Sequence, residues 1–206
     1  FDGDGDRVLA VDREGNVHDG DEIVAFVATD RAGRGELGGG VVVTVMSNYG
    51  FHQAMRGAGI EVEVTKVGDR YVLAMLKEHG GVLGGETSGH LLCLDRTTTG
   101  DGLVSALQVL AAMKRSGRTL AELSSSMPSY PQVMINVRVS ERADPMESAA
   151  VRSAVQRLEQ SLGDTGRVVL RASGTEPVIR VMVEGRDHAA VSRYAEDLAE
   201  VVRSTL

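Results

Sequence analysis

The chain holds 206 residues, with 22 Lys+Arg against 29 Asp+Glu for a net charge of −7, and a single cysteine, Cys93. Without a concentrated basic stretch that balance argues against a nucleic-acid partner, which needs many phosphate-neutralising cations. One cysteine cannot build an internal disulfide or a thiolate metal cluster and fits a reducing, cytoplasmic setting.

No apolar run nears the roughly 20 residues of a membrane span, so no membrane partner is expected, nor a signal peptide at the start. In chain order, residues 7–11 and 16–18 flank the turn-rich Asp12-Arg13-Glu14-Gly15 and predict a hairpin. A helix is expected over 21–32, with Asp19 or Asp21 as N-cap and Ile23, Val24, Phe26 and Val27 as its apolar face. Residues 41–45 form a β-branched run too continuous for a half-exposed strand, which predicts a buried strand of a parallel sheet. The alternation continues with a helix over 51–58, a strand over 60–66, a helix over 69–79, and strands over 82–84 and 91–94 around a loop at 85–90. Helices over 101–116 and 120–124 follow. Such spacing is the mark of βαβ units and a mainly parallel sheet, an α/β architecture.

Residues 125–132, holding three serines and two prolines, predict a linker. Beyond it, over 133–206, the expected order is strand (133–139), helix (145–162), two strands (167–171, 178–184) and helix (187–204), a small α+β domain.

Three segments carry more polar and glycine density than structure alone asks for. In Asp2-Gly3-Asp4-Gly5-Asp6-Arg7 the three carboxylates alternate with glycines. Residues i, i+2 and i+4 of an extended backbone point to one side, and three hard oxygen donors suit Mg²⁺. An EF-hand loop is excluded because Arg7 and Arg13 stand where its glycine and bidentate glutamate belong; a solvated acidic turn is the bland alternative. In Gly85–His90, Glu86 and Ser88 offer an acceptor and a donor/acceptor suited to sugar hydroxyls. His90 could act as acid or base, against a plain Gly/Ser turn. In residues 171–177, Arg171, Ser173, Gly174 and Thr175, with Arg180 beyond, could grip a phosphate dianion; an incidental hairpin is the alternative. Glu176 opposes an anion unless it turns away to orient an arginine. Cys93 lies in an apolar run and should be inert, and Met113, Met127, Met134 and Met182 read as core filler.

In this order and spacing the three segments resemble the C-terminal portion of an α-D-phosphohexomutase. That superfamily carries a metal loop D-G-D-G-D-R, a sugar loop G-E-x-S-G-H and a phosphate loop R-x-S-G-T-E-P in successive domains. The resemblance covers essentially the whole chain. It implies a remnant of a metal-binding α/β domain at 1–18, a sugar-binding α/β domain at 19–124 and an α+β phosphate-binding domain at 133–206. Thr44-Val45-Met46-Ser47-Asn48, residues 66–72 and the Gly-Thr-Glu-Pro form of the phosphate loop look most like the glucosamine-phosphate branch.

The implied activity is an isomerase reaction that interconverts glucosamine 6-phosphate and glucosamine 1-phosphate, feeding peptidoglycan precursor synthesis. It proceeds by phosphoryl transfer from a phosphoserine through a hexosamine 1,6-bisphosphate. Glucose or mannose phosphates are the neighbouring alternative, and a non-catalytic phosphosugar-binding module the more distant one.

By the same resemblance Asp2, Asp4 and Asp6 hold one Mg²⁺, with Arg7 beside it. Arg70, Glu86 and Ser88 face the sugar, His90 serves proton transfer, and Arg171, Ser173, Gly174, Thr175 and Arg180 hold the non-reacting phosphate. A homodimer is expected of the intact enzyme. The family's T-A-S-H-N-P-like serine segment has no counterpart here, so this polypeptide alone is expected to be inactive and to bind Mg²⁺ weakly. Ala172 stands where proline is common. An apolar patch is expected near residues 8–11, where a further domain would pack.

Overall fold

A computed structural model describes residues 1–140, 143–174 and 176–206. They form two compact units, Phe1–Ser129 and Tyr130–Leu206. The division falls within the stretch expected as a linker, and residues 1–18 belong to the first unit.

In the first unit, β1 (Ala10–Val11) and β2 (Val17–His18) pair antiparallel, a shorter ladder than the sequence suggests. The turn between them is built on Asp12, whose Oδ1 accepts the backbone N–H groups of Glu14 and Asn16 at 3.0 and 2.8 Å. Helix α1 (Gly20–Ala32) starts at a capping box: Asp19 accepts from Asp21 and Glu22, and Glu22 Oε2 accepts the Asp19 N–H. Apolar residues surround α1 on most sides, as a helix inside a core requires. Its one buried cation, Arg31, donates to Asp95 Oδ1 at 2.8 Å and Gln108 Oε1 at 3.0 Å.

Strand β3 (Val41–Thr44) is buried along its length and lies parallel to both β4 (Val62–Thr65) and β5 (Leu83–Gly85). Helices α2 (Tyr49–Gly57) and α3 (Asp69–His79) make the crossovers. Strand β6 (Leu91–Cys93) then pairs antiparallel with β5, giving the order β4-β3-β5-β6. The short connection 86–90 allows only an antiparallel return, so the expected sugar loop is the tip of a hairpin at the edge of an otherwise parallel sheet. Cys93 is buried, and burial pushes its thiol up to about 11, consistent with an inert residue. Helices α4 (Gly102–Ser116) and α5 (Leu120–Ser124) complete the unit. Phe1, Leu9, Val11 and Val17 are exposed, as are Leu103, Leu107 and Leu110 on one stripe of α4. A hollow of about 450 Å³ lies among Val8, Leu9, Val11, Leu110 and Met113. The apolar patch expected near residues 8–11 is present.

The second unit is a three-stranded antiparallel sheet, β7 (Gln132–Arg138), β8 (Gly166–Ala172) and β9 (Val178–Gly185), in the order β7-β9-β8. Val137, Ile179, Val181 and Val183 pack with the apolar faces of α6 (Ala149–Leu162) and α7 (His188–Thr205). The helix expected from Pro145 is interrupted: Pro145–Glu147 is a 3₁₀ turn, and Ser148, in extended backbone, caps α6 afresh through Val151 N–H. A second N-cap three residues after a proline start outcompetes one continuous helix. Met127 and Met182 are buried as expected of core filler, whereas Met134 is 42% exposed.

Candidate functional site

In the first unit the acidic loop is joined to the hairpin tip. Asp2, Asp4 and Asp6 bring one carboxylate oxygen each within 4.8 Å of one another. Asp6 Oδ2 bonds His90 Nδ1 at 3.0 Å, while its Oδ1 is buried with no hydrogen-bond partner. The Val8 N–H donates to Gly89 O at 3.0 Å, and Arg7 forms a β-bridge with His90. Arg7 Nε stands 3.6 Å from Asp2 and 4.0 Å from Asp6, half-exposed, and its backbone N–H donates to Asp2 Oδ1. Burial works against the Asp2 carboxylate, but that N–H and its bonds with Asp4 and Asp6 bring it below the usual range. Asp4 and Asp6 border an open hollow of about 460 Å³, together with Gly100 and Asp101.

Octahedral Mg²⁺ keeps its oxygens about 2.0–2.1 Å away, hence about 3 Å apart for neighbouring ligands and about 4.2 Å across the ion. The three carboxylates, within 4.8 Å of one another beside an open hollow, would close on it by side-chain rotation, and Asp6 Oδ1 has no hydrogen bond to give up. The residues present fit the ion.

His90 lies behind the acidic loop, beside Asp6. Its ring is 6% exposed, and a Cβ on Gly100 would lie 2.2 Å from Nε2, so that glycine lets the backbone cover the ring. Through Nδ1 His90 holds the Asp6 carboxylate in the way a metal ligand's outer partner does, and its Nε2 is buried without a hydrogen-bond partner. Its burial follows from the hairpin, which sets the residue preceding β6 toward the unit's interior.

Glu86 and Ser88 fare differently. Glu86 is half-buried, with Oε1 accepting the Gly68 N–H at 2.9 Å, and Ser88 is exposed. Gly68 precedes α3, whose first turn carries Arg70, so both Arg70 and the Glu86 bond lie at the start of one helix. Arg70 lies over the Tyr71 ring at 4.6 Å and donates to its hydroxyl at 2.7 Å. Between Glu86 and Ser88, Thr87 turns the other way: Oγ1 donates to Asp21 Oδ2 at 2.9 Å. The α1 start is tight against this loop, where Gly20 N–H donates to Thr87 O at 3.0 Å. A Cβ on Gly20 would lie 2.0 Å from Glu86 O.

In the second unit, Arg171 of β8 stands directly across from Arg180 of β9, and Asn136 of β7 completes the row. Like charges in opposed positions destabilise a sheet. No carboxylate pairs with either arginine among the described residues, and Arg180 Nε is buried without a partner. Burial, and then the charge of Arg180, press the Arg171 pKa down. Four residues along the same face, by contrast, Glu184 is paired with Arg167 and Gln132. Ser173 is buried, donating its N–H to Val178 O, with Oγ accepting the Glu176 N–H at 3.4 Å. The position of a Cβ on Gly174 is open space. Glu176 is exposed and pairs with neither arginine among the described ion pairs. Thr175 lies outside the described residues.

Sequence reasoning missed Asn136 and Arg138, which border a hollow of about 500 Å³ with Glu176, Pro177 and Arg180. The alternation of β7, polar at 136 and 138 and apolar at 135 and 137, was the available signal. It also missed the buried Asp21, for which the sequence offers none beyond a helix cap.

The family described as phosphoglucomutase/phosphomannomutase, alpha/beta/alpha domain III, matches residues 19–130, and its C-terminal domain matches residues 134–201. The phosphoglucosamine mutase of Marinobacter nauticus is 55% identical over all of this chain and 46% of its own length. That of Halorhodospira halophila is 55% identical over 99% of this chain and 45% of its own. The chain therefore spans a little under half the length of these relatives. Among solved structures, Aspergillus fumigatus N-acetylphosphoglucosamine mutase, in complex with GlcNAc-6P and magnesium, matches with a TM-score of 0.82. The match is at 21% identity, covering 98% of this chain and 51% of that one. A phosphoglucomutase/phosphomannomutase family protein of Burkholderia thailandensis matches with a TM-score of 0.78 at 24% identity, over 99% and 45% of the two chains.

Proposed function

This chain belongs to the phosphoglucomutase/phosphomannomutase family, and from that premise we propose that it is part of a phosphoglucosamine mutase, an isomerase of glucosamine 6-phosphate and glucosamine 1-phosphate. The observation that carries the reading is the wiring of Asp6: one oxygen held by His90 of the hairpin tip, the other buried without a hydrogen bond beside Asp2 and Asp4. Ion site and sugar loop are thereby fixed to each other within one unit. The choice of glucosamine is supported by relatives at 55% identity that bear that name.

Asp2, Asp4 and Asp6 would hold Mg²⁺, which when bound neutralises charge on a transferring phosphoryl group. Arg7 keeps the carboxylates partly neutralised. Glu86 and Ser88 would bind sugar hydroxyls, Glu86 oriented by the Gly68 N–H and Ser88 turned to solvent. Arg70 would present its guanidinium at the same helix start. In the second unit Arg171, Arg180, Ser173, Gly174 and Thr175 would take a phosphate dianion, relieving the arginine pair's repulsion. Each charge-assisted bond contributes about 1.5–3 kcal/mol. The phosphoserine that donates and recovers the phosphoryl group, by way of a hexosamine 1,6-bisphosphate, is assigned to the part of the relatives that this chain does not cover.

The test is turnover of the protein as encoded in the genome, with Mg²⁺ and a catalytic amount of bisphosphate, on glucosamine, glucose and mannose 6-phosphates. A higher kcat/KM on glucosamine phosphate is expected. Preference for mannose or glucose overturns the choice of sugar, and no turnover on any of them overturns the reaction.

A further inference from the structure

Asp21 is 1% exposed and belongs to neither the ion site nor the set of groups that would touch a sugar. Its Oδ2 collects donors from two other segments. Thr87 Oγ1–H, in the hairpin tip, lies at 2.9 Å, and the backbone N–H of Asn48, the cap of α2, at 2.8 Å. A buried carboxylate is tolerated only where donors surround it, and here the positive ends of α1 and α2 add to them. Thr87 is thus held from behind by its side chain and, through its carbonyl, by the Gly20 N–H. Its neighbours are placed elsewhere: Glu86 Oε1 accepts the Gly68 N–H at 2.9 Å, and Ser88 is exposed.

We infer that Asp21 is the positioning residue of the hairpin tip: by anchoring Thr87 to the starts of α1 and α2, it fixes the direction in which Glu86 and Ser88 meet the sugar. The inference rests on the reading of that loop as the sugar site. Its effect is on substrate binding, since neither Asp21 nor Thr87 is placed to touch the reacting phosphoryl group.

The experiment compares Thr87→Val, Thr87→Ser, Asp21→Ala and Asp21→Asn in the protein as encoded. It records KM and kcat for the sugar phosphate and, without substrate, amide exchange at Glu86 and Gly89. Thr87→Val removes one bond to a charged group and is expected to raise KM roughly tenfold, with kcat within about twofold. Thr87→Ser restores the wild-type KM. Asp21→Ala speeds exchange at both amides, and Asp21→Asn, which keeps an acceptor, gives an intermediate rate. The inference is overturned if Thr87→Val leaves both KM and exchange unchanged, or if Asp21→Ala lowers the melting temperature alone. Should Asp21→Ala fail to fold, Thr87→Val decides. If the wild-type protein turns over no hexose phosphate, the proposed function fails, and the exchange rates by themselves support or sink the anchoring.

Discussion

Gly20→Ala would probe how tightly α1 abuts the sugar loop. At a free helix start, replacing glycine by alanine stabilises by about 0.4–1 kcal/mol through the unfolded chain. Here the new methyl would lie 2.0 Å from Glu86 O and 2.8 Å from Gly89 N. A carbon–oxygen contact relaxes only near 3.3 Å, so helix and loop must part by roughly 1.3 Å. That displacement carries Gly20 N–H···O Thr87, now 3.0 Å, and Thr87 Oγ1–H···Oδ2 Asp21, now 2.9 Å, out of hydrogen-bonding range. Losing one neutral bond of about 1 kcal/mol and one to a charged group of about 1.5–3 kcal/mol, less the entropic gain, leaves a net loss of about 2–3 kcal/mol. In a unit of this size that lowers the melting temperature by on the order of 10 °C. Differential scanning calorimetry of Gly20→Ala measures it. Gly57→Ala is the control, because its Cβ would meet open space at the end of α2 and should be neutral or slightly stabilising. If Gly20→Ala melts with the wild type, the close approach of helix and loop is wrong and so is the anchoring built on it.

Asp95→Ala would leave the Arg31 guanidinium buried with Gln108 as its remaining partner. Since Asp95 itself is 29% exposed, the loss should fall near the low end of the range for a broken buried pair, about 3 kcal/mol, read by urea denaturation. His18 bridges Glu22 and Asp12 at 3.0 and 3.2 Å. Burial opposes its imidazolium, but the two carboxylates outweigh this and raise its pKa. The stabilisation is therefore complete below pH about 6.5 and lost as pH rises through the folded-state value, whereas His18→Gln should melt without that slope. Asp21 acts in a separate window: burial raises its folded pKa to about 6, against Asn48 and Thr87 bonds that lower it and an Asp19 charge that adds to it. Stability should thus fall as pH climbs from about 3.8 to 6, and Asp21→Asn should remove that limb of the melting profile. Arg171→Ala removes one charge-assisted contact from the second unit. It should weaken inorganic phosphate binding roughly 10- to 100-fold by calorimetry, and unchanged affinity would move the anion elsewhere.

What sequence alone determined here is local. The Val-rich run at 41–44 announces a buried parallel strand because two covered faces demand unbroken apolarity. Alternating glycine and aspartate at 2–6, and the glycine-containing tips at 85–90 and 171–177, announce loops because their backbone and donor chemistry are written in a few consecutive residues. Helix starts at Asp19, Asn48 and Asp101 are legible for the same reason. Tertiary structure decided which of these residues can reach a ligand. His90 stands in a short polar loop in sequence, yet it meets Asp6 across 84 positions and is buried against Gly100. Asp21 reads as a helix-start acid, yet its partners lie 27 and 66 positions away. The repulsive pairing of Arg171 with Arg180 exists only through the β8–β9 register. Backbone conformation follows from neighbours along the chain, but burial, pKa and the direction of a side chain follow from what the fold brings up against it, and no short window of sequence contains that.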